Sequence, residues 1–592
     1  MKLSAVGAVV LAGWLLLFFP AGAQTADSGL LKSPDLIVTN GTVLTMDNSR
    51  PRAEAVAVED GLITAVGSTE KIAALRGPDT RILDLGGGTM IPGFIEAHAH
   101  LLYLGRSLQE LKLATISTWP QIVEMVANAA RQAAPEQWII GSGWHQEKLA
   151  QIEPSAVEGY PIHDDLSRVS PANPVLLFHA SGHAAIANTR AMELAGIAPD
   201  YQPPPGGRAV IDPDGRLTGV FLDAAITPIR RAAERAERAG DPRLREDRQR
   251  ALVERAVDHA LSRGITSFQD AGSSFATIDL LRQMERENRL RMRLWVMLGE
   301  SNENLEKHLA DYPAGDTGGG RLAVGSVKRF MDGALGSRTA WLLKPYDDAP
   351  EQTGLNVESP QLILETARIA LRHGYQLSVH AIGDRAVRKT LDIYQLVFED
   401  RGLPTDLRWR IEHAQHISGH DVDRFARLGV IASMQPVHCS SDGPWVKNRI
   451  GSRRADTGAY IWRKLIDSRA AVAVGTDAPV EDVDPIANFY AAVSCRLPDG
   501  STASLDRRMS REEALRAYTL GNAYAAFEED VKGSIAPGKY ADFTVLSQDL
   551  TRVAEEKIRE TRVLYTLVGG EIAYAAPAVV AAKTHSPAAT QN

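Results

Sequence analysis

The chain has 592 residues, of which 44% are hydrophobic and 23% are charged, so it can bury at least one large core and is not disordered over most of its length. Lys and Arg number 65 against 73 Asp and Glu, which gives a formal net charge of -8. This mildly acidic balance argues against nucleic acid or an anionic membrane as a partner, and we expect a small-molecule substrate.

The N-terminus predicts a secretory signal peptide over residues 1–23. Lys2 precedes an apolar run over residues 3–19, and a small-x-small triplet ends at Ala23. We expect cleavage after about Ala23, export to the periplasm or the medium, and no stable membrane association afterwards; an uncleaved anchor is the alternative. The two cysteines are Cys439 and Cys495. We expect both to be free thiols, with a bridge between them left open.

Short alternating strands separated by turn dipeptides lie near both ends of the chain. Residues 35–84 contain Asn-Gly, Asp-Asn and Asp-Gly turns, and residues 533–574 have a similar texture. We predict that residues 35–90 and 528–575 form one composite β-sandwich domain. Residues 576–592 are rich in Ala, Pro and Thr and are predicted to be a disordered tail.

Apolar strand-like runs alternate with amphipathic helical segments over residues 91–527, which is typical of a parallel α/β domain. Eight runs are predicted strands: MIPGFIEAHAH, GITSFQD, LRMRLWVML, AVGSVKRFMDG, YQLSVHA, LRWRIEHA, VIASMQP and AAVAVGTDAP. Eight βα units predict a closed (β/α)8 barrel of the TIM type, with its active site at the C-terminal ends of the strands.

Three segments between the strands carry further predictions. The first two strands are separated by about 160 residues, more than a crossover needs, so we predict an inserted subdomain at about 109–222. Residues 227–263 are highly charged and are predicted to be helical, with the charges on a solvated face. Residues 440–462 are predicted to be a loop that shapes the pocket.

Six polar residues each end one of the predicted strands. They are His98, His100, Lys328, His380, His413 and Asp477. Because side chains alternate along a strand, the first two histidines project from the same face. An isolated strand histidine is more often a satisfied core residue, but the shared position at strand ends favours a metal site. We predict that the set binds two adjacent divalent metal ions.

Lys328 is the least obvious member of this set. Taken alone, it is best explained by a salt bridge to a nearby carboxylate such as Asp332. Beside divalent cations, however, an ammonium would be repelled by roughly 4 kcal/mol per unit charge at 4 Å and an effective dielectric near 20. We therefore predict that carbon dioxide converts Lys328 to an anionic carbamate, which would act as a carboxylate-like bridge.

Thirteen motifs follow one another over nearly the whole chain after the predicted signal peptide: VTNGTVLTMD, IPGFIEAHAH, GSGWHQ, SGHAAIAN, TGVFLDAA, GITSFQDAG, VKRFMDGALGSRTAW, HAIGDRAV, RIEHAQH, SMQPVH, GTDAPV, EEALRAYTLGNAYAAF and KGSIAPGKYADFTVL. Through these motifs the chain resembles the amidohydrolase superfamily, and within it the amidohydrolase-3 branch that includes N-substituted formamide deformylases. The resemblance implies a barrel with a composite β-sandwich and a one- or two-metal site, usually zinc, held by the six residues. Gln269, Ser181 and Asp223 depart from the commonest pattern and bear on the substrate rather than on the metal chemistry.

These features predict hydrolysis of an amide or formamide-like C–N bond through a metal-bound hydroxide. The metal lowers the pKa of its water towards 7 and polarises the scissile carbonyl. Asp477 would accept the proton and return it to the leaving amine, and His438 is the second predicted catalytic residue. The predicted substrate-binding residues are Trp144, His183, Arg338, Gln435 and His438.

Other functions fit the sequence less well. A non-catalytic periplasmic binding barrel would be expected to have lost metal ligands, and all six are present. A glycosidase needs two strand-end carboxylates that flank the bond, and an α/β-hydrolase needs a G-x-S-x-G motif; the sequence has neither. An ester or a cyclic amide stays open as the substrate. So does the oligomeric state, for which a homodimer is one option.

Overall fold

The computed structural model describes residues 33–150, 156–238, 242–400, 402, 406–503, 505–577 and 579. The predicted signal peptide at 1–23 and most of the predicted tail at 576–592 lie outside the described residues. Within the described ranges, no helix combines the length and the apolar composition that a membrane crossing requires. Both cysteines are buried free thiols.

Strands and helices alternate along the chain. The strands are β1 (Leu36–Thr39), β2 (Thr42–Leu44), β3 (Arg52–Ala53), β4 (Ala55–Glu59), β5 (Leu62–Gly67), β6 (Arg81–Asp84), β7 (Thr89–Pro92), β8 (Phe94–Ala99), β9 (Leu111–Lys112), β10 (Ile139–Trp144), β11 (Val175–His179), β12 (Ala184–Ala187), β13 (Gly207–Ile211), β14 (Leu217–Asp223), β15 (Ile265–Ser273), β16 (Arg293–Leu298), β17 (Gly315–Asp316), β18 (Leu322–Phe330), β19 (Gln376–Ala381), β20 (Arg410–His413), β21 (Ile431–Met434), β22 (Val472–Val474), β23 (Phe543–Leu546), β24 (Val563–Val568) and β25 (Glu571–Ala575). The α-helices are α1 (Thr69–Ala73), α2 (Leu101–Ser107), α3 (Trp119–Gln132), α4 (Asp164–Val169), α5 (Thr189–Leu194), α6 (Thr227–Arg238), α7 (Pro242–Ser262), α8 (Phe275–Arg286), α9 (Asn302–His308), α10 (Pro360–Arg372), α11 (Asp384–Glu399), α12 (Val422–Leu428), α13 (Pro436–Gly458), α14 (Trp462–Asp467), α15 (Pro485–Ser494), α16 (Arg511–Arg516) and α17 (Asn522–Ala525).

Eight parallel strands form the barrel, in the order β8, β15, β16, β18, β19, β20, β21 and β22. Each of the eight predicted strand segments overlaps one of them, so the predicted (β/α)8 barrel is confirmed. The last strand returns to the first through the backbone: Asp477 N–H donates to His98 O at 2.7 Å, and His100 N–H donates to Ala478 O at 2.8 Å. All six residues of β16 are buried, as expected where helices cover one face of a sheet and side chains fill the other.

Helix caps follow several barrel strands closely. Ser274, Ser301 and Ser359 are the N-caps of α8, α9 and α10, and each hydroxyl accepts a hydrogen bond from the backbone N–H three residues on, at 3.2 Å. Such caps satisfy N–H groups that a helix leaves unpaired. They begin each helix at a fixed residue, and thereby fix where the preceding chain leaves the barrel mouth.

Two further sheets pack beneath the barrel. One has the order β25, β24, β23, β7, β2 and β3, so it joins strands from both ends of the chain, and the other has the order β5, β4, β1 and β6. Val38 and Val56 from the smaller sheet share one apolar core with Phe543 and Leu567 from the larger. Since β7 leads directly into β8, this pairing anchors the first barrel strand.

A third sheet, in the order β13, β14, β12, β11, β10 and β9, is inserted between β8 and β15. It has its own apolar core, which includes Ile122, Trp144 and Leu177. The chain then returns to the barrel through α6 and α7, which occupy the segment predicted to be helical.

The prediction of a loop over residues 440–462 is wrong, because α13 covers most of it. Pro444 lies inside this helix, and Gly451 has φ of 74° where two helical segments meet. The helix forms despite these breakers because it buries an apolar face that includes Trp445, Val446 and Ile450.

Candidate active site

Three of the predicted ligands converge at the barrel mouth. His98 lies on β8, His100 follows that strand directly, and Asp477 follows β22. The Oδ1 atom of Asp477 lies 3.2 Å from His100 Nε2 and 3.5 Å from His98 Nε2. Each of the three residues offers a ligand atom within 4.8 Å of the other two, so together they could hold a metal ion.

The other three predicted ligands extend this group. The ring centroids of His413 and His98 are 4.8 Å apart, and those of His413 and His380 are 4.4 Å apart. Lys328 Nζ lies 3.4 Å from His98 Nε2 and is almost fully buried. The structure thus brings all six predicted ligands into one cluster.

The structure does not pair Lys328 with Asp332. The carboxylate of Asp332 accepts hydrogen bonds from the backbone N–H groups of Trp341, Ile382 and Gly383, at 2.7, 3.0 and 2.8 Å. No ion pair between Lys328 and Asp332 occurs among the described residues. Burial lowers the pKa of Lys328 to about 8, so a substantial fraction of this amine is neutral near pH 8.

The donor atoms fit a divalent metal. Burial lowers the pKa of His98 to about 4 and holds the pKa values of His380 and His413 well below the ordinary value, so these imidazoles are neutral and keep a lone pair. Asp477 Oδ1 is buried; the Nε2 atoms of His100 and His98 lie 3.2 and 3.5 Å from it, but no hydrogen bond of suitable geometry reaches this oxygen among the described residues. A buried carboxylate oxygen without a partner is costly, and a metal ion would stabilise it.

Other side chains orient the imidazoles. His98 Nδ1 bonds Glu412 Oε2, and Arg410 forms an ion pair with Glu412 at 2.7 Å. Gln435 Oε1 lies 2.8 Å from His413 Nδ1. In each case the bonded Nδ1 donates, which leaves Nε2 as the lone-pair donor. Gln435, predicted to bind substrate, therefore positions His413.

Two residues of this cluster have a strained backbone. His413 has φ of 72° and Asp477 has φ of 61°, both in the left-handed region that residues other than glycine rarely adopt. Each such residue costs on the order of 1–3 kcal/mol, and such strain concentrates at functional sites. Two of the six clustered residues are held in this way.

The cluster lies where two cavities meet. The larger cavity, the large lobe, measures about 490 Å³, and the smaller one, the small lobe, about 50 Å³. Residues that line both lobes are Ala180, Ser181, His183, His380, His413, Asp477 and Val480. A bond held at this junction would have one substituent in each lobe.

Two of the predicted substrate-binding residues line these lobes. His183 faces both, and its Nδ1 lies 2.6 Å from Asp223 Oδ1. Burial works to lower the pKa of His183, but the bond to Asp223 outweighs it and the pKa is raised. His438 lines the small lobe, with its ring 6.3 Å from that of His413 and its buried Nε2 without a hydrogen-bond partner among the described residues.

Two further predicted substrate-binding residues, Trp144 and Arg338, do not line either lobe. Trp144 is fully buried, and its Nε1 donates to Leu177 O at 2.9 Å. Arg338 forms an ion pair with Asp348 at 3.0 Å. Neither is among the described residues that line the two lobes.

The sequence-based prediction missed several buried charges around the ligands. Glu412 and Arg410 support His98, while Glu96 accepts hydrogen bonds from the Thr476 N–H at 2.8 Å and the Thr476 hydroxyl at 2.9 Å. Burial raises the pKa of Glu96 to about 8. The sequence does contain a signal for Glu96 and Glu412: a carboxylate within an apolar strand is expensive to bury without partners.

The three departures from the commonest family pattern separate in space. Gln269 lies within the barrel, where its Nε2 donates to Asn522 O at 2.7 Å and its Oε1 accepts from Arg410 at 2.5 Å. Ser181 and Asp223 both line the large lobe. Only these last two therefore bear on what the cavity holds.

Known proteins similar to this chain agree with the geometry. Residues 81–574 match the Amidohydrolase family. Protein LONG AFTER FAR-RED 3 of Arabidopsis thaliana is 33% identical, with 91% of each chain covered, and an N-substituted formamide deformylase of Arthrobacter pascens is 28% identical, with 91% of this chain and 98% of the relative covered. The crystal structure of an uncharacterized metal-dependent hydrolase from Pyrococcus furiosus aligns with a TM-score of 0.67 and 29% identity, over 87% of this chain and all of the other. The family match spans most of the chain, and the barrel carries its histidines and Asp477 at the strand ends, so the chain belongs to the amidohydrolase family and has the fold of a metal-dependent hydrolase.

Proposed function

We propose that the protein is an exported, metal-dependent amidohydrolase that cleaves an amide or formamide-like C–N bond of a small molecule. The observation that carries this proposal is Asp477 Oδ1, a buried carboxylate oxygen with no hydrogen bond among the described residues, between two histidines and at the junction of two lobes. The similarity to an N-substituted formamide deformylase supports the choice of bond.

The sizes of the lobes support a small acyl group. A cavity of about 50 Å³ has room for a formyl or other short acyl group, whereas about 490 Å³ accommodates a larger amine substituent. We therefore place the acyl group beside His438 in the small lobe and the amine substituent in the large lobe.

His98, His100, His380, His413, Asp477 and the modified Lys328 would hold one or two divalent ions, with zinc as our first choice. A bound ion supplies Lewis-acid polarisation of the carbonyl and an acidified water. Asp477 takes the proton of the attacking water and transfers it to the leaving nitrogen, which departs as an amine. His438, whose Nε2 has no partner among the described residues, donates a hydrogen bond to the carbonyl oxygen as it gains charge.

Lys328 enters as a carbamate. Its neutral amine attacks carbon dioxide, a new N–C bond forms, and one proton is released, which leaves an anionic carboxylate-like group. The lowered pKa of about 8 favours this step because the neutral amine is the reactive form.

Metal content and amine release test the function together. The purified chain is assayed for bound divalent metal and for amine release from N-formyl and short N-acyl amines, before and after treatment with a chelator and after zinc is restored. We expect stoichiometric metal, loss of activity with the chelator and recovery with zinc. His98→Ala should lose metal and activity, whereas His420→Ala, at an exposed position, should keep both. Metal-free protein whose activity ignores the chelator would refute the proposal.

A second experiment addresses Lys328 alone. We expect Lys328→Ala to be inactive as purified and to regain activity with acetate or propionate, because a free carboxylate can occupy the place of the carbamate. Lys389→Ala, at an exposed position, is the matched control and should behave as wild type. Full activity of Lys328→Ala without added carboxylate would exclude the carbamate.

A further inference from the structure

One cationic residue of helix α6, Arg230, lines the large lobe. This helix begins directly after the inserted sheet, and Ile226, Thr227 and Arg230 line the cavity that also contains the predicted metal ligands. The sequence predicts that the charges of this segment face solvent. The next residue, Arg231, does so, but Arg230 is only partly exposed.

Arg230 has no charged partner among the described residues. Its Nε is buried without a hydrogen bond, and its guanidinium lies over the Phe178 ring at 5.6 Å from the centroid. Arg250, Arg338 and Arg449 differ from it in that each forms an ion pair with a carboxylate: with Glu246 at 2.7 Å, with Asp348 at 3.0 Å and with Glu147 at 2.8 Å, respectively. Arg230 is therefore a partly desolvated cation without an anion, which is costly unless a ligand supplies one.

The rest of the large lobe does not supply that anion. Arg106 and Glu110, which also line it, have interactions of their own. Asp223 bonds His183 through Oδ1 at 2.6 Å and forms no ion pair with Arg230 among the described residues. The remaining wall near Arg230 includes the apolar side chains of Phe178, Ile226, Phe330 and Val357.

We propose that Arg230 binds a carboxylate on the amine substituent of the substrate, so that the enzyme selects amides whose larger half combines an anionic group with an apolar one. This inference rests on the proposed amide hydrolysis. A guanidinium presents two parallel N–H donors that match the two oxygens of a carboxylate, and Phe178 limits the positions that the side chain can take. Arg230 is in this view a specificity-determining residue.

Matched substrates that differ by one carboxylate test the inference. N-formylphenylalanine and N-formylphenethylamine are compared by kcat/KM for amine release, with wild type, Arg230→Met and the control Arg231→Met. We expect wild type and Arg231→Met to prefer the acid by ~10- to 100-fold, the range for a hydrogen-bonded charge pair, and Arg230→Met to lose the preference by slowing on the acid alone. Arg230→Gln serves as a second neutral variant if Arg230→Met melts at a lower temperature than wild type.

The outcomes separate this inference from the proposed function. If wild type hydrolyses both formamides equally, or if Arg230→Met slows both equally, the carboxylate site is refuted while amide hydrolysis stands. If neither is hydrolysed, calorimetric binding of N-acetylphenylalanine and N-acetylphenethylamine to chelator-treated protein decides: ~10-fold tighter binding of the acid, lost in Arg230→Met, supports the site, and equal binding overturns it.

Discussion

The two ends of the barrel, its floor and its mouth, differ in whether their buried polar groups are hydrogen-bonded within the protein. At the floor, Arg293 Nε donates to Asp542 Oδ2 at 2.6 Å, its Nη2 donates to Asp542 Oδ1 at 3.1 Å, and the Gly569 N–H donates to the same carboxylate at 2.8 Å. At the mouth, Asp477 Oδ1 and His438 Nε2 are buried without hydrogen bonds among the described residues. The buried charges at the floor are paired within the protein, whereas two buried polar atoms at the mouth have no hydrogen-bond partner among the described residues.

This contrast separates stability from function. In barrels of this type, catalytic groups lie at the C-terminal ends of the strands, and interactions at the opposite end stabilise the fold. The floor pair joins β16 to the residue before β23, and so ties the barrel to the terminal sheet. Substitutions at the two ends should therefore have opposite consequences, which the following variants measure.

The largest effect is expected at the mouth, from Asp477→Asn. This change removes the proposed proton acceptor, which is also a proposed metal ligand, so amine release should fall by at least about 10³-fold. The melting temperature of the metal-free protein should change little, because Asp477 Oδ1 has no hydrogen bond to lose among the described residues. Melting curves and steady-state kinetics measure both. A marked loss of stability in the metal-free variant would contradict the contrast between the two ends.

Asp542→Asn makes the corresponding change at the floor. Removing one partner of a buried ion pair leaves Arg293 uncompensated, so the free energy of unfolding should fall by about 3–5 kcal/mol. Activity per folded molecule should stay the same, since neither partner is among the described residues that line the two lobes. Denaturant titration measures the loss. Glu254→Gln breaks the exposed Arg289–Glu254 pair and should cost below about 1 kcal/mol.

Glu412→Gln tests whether the bond to Glu412 orients His98. The neutral amide bonds His98 less strongly than the carboxylate does, so metal affinity should fall by about 10- to 100-fold, as is usual when a ligand histidine loses its carboxylate partner. Competition with a chromophoric chelator gives the affinity. Glu303→Gln, at an exposed position, is the control. Equal affinity of Glu412→Gln and wild type would show that the orientation of His98 does not depend on this bond.

The sequence predicts the barrel well because its strands are apolar runs bounded by turn residues. It also predicts that the candidate ligands lie together, since parallel strands bring their C-terminal ends to one mouth, and the positions of residues such as His98 and Asp477 follow from strand ends alone. Arg230 could not be placed in this way. Which side of α6 faces the cavity depends on how the inserted sheet packs on the barrel, and the local pattern of charges does not contain that information.

The hydrogen-bond and ion-pair partners of Trp144 and Arg338 explain why these two predicted substrate-binding residues do not line the lobes. Arg338 pairs with Asp348, and Trp144 donates to Leu177 O. Arg and Trp are common in binding sites, but both must satisfy their N–H groups when buried. The neighbours that do so are brought close by the fold, so a list of residue types cannot separate a binding role from a structural one.

The smallest expected effect is a pH dependence at the floor. Burial alone would raise the pKa of Asp542, but the charge of Arg293 and its hydrogen bonds outweigh burial and hold the pKa below its ordinary value of 3.8. Asp542 therefore binds a proton at a higher pH in the unfolded chain than in the folded chain. Its contribution to the free energy of unfolding is complete above about pH 5 and is lost as pH falls through 3.8 towards the folded pKa. The difference in unfolding free energy between wild type and Asp542→Asn should be constant from pH 7 to 5 and shrink below pH 4, by at most about 1.4 kcal/mol per pH unit. Denaturant titrations of the chelator-treated proteins measure it without metal loss as a confounding effect. A difference that stays constant down to pH 3 would show that the pKa of Asp542 is not lowered by folding.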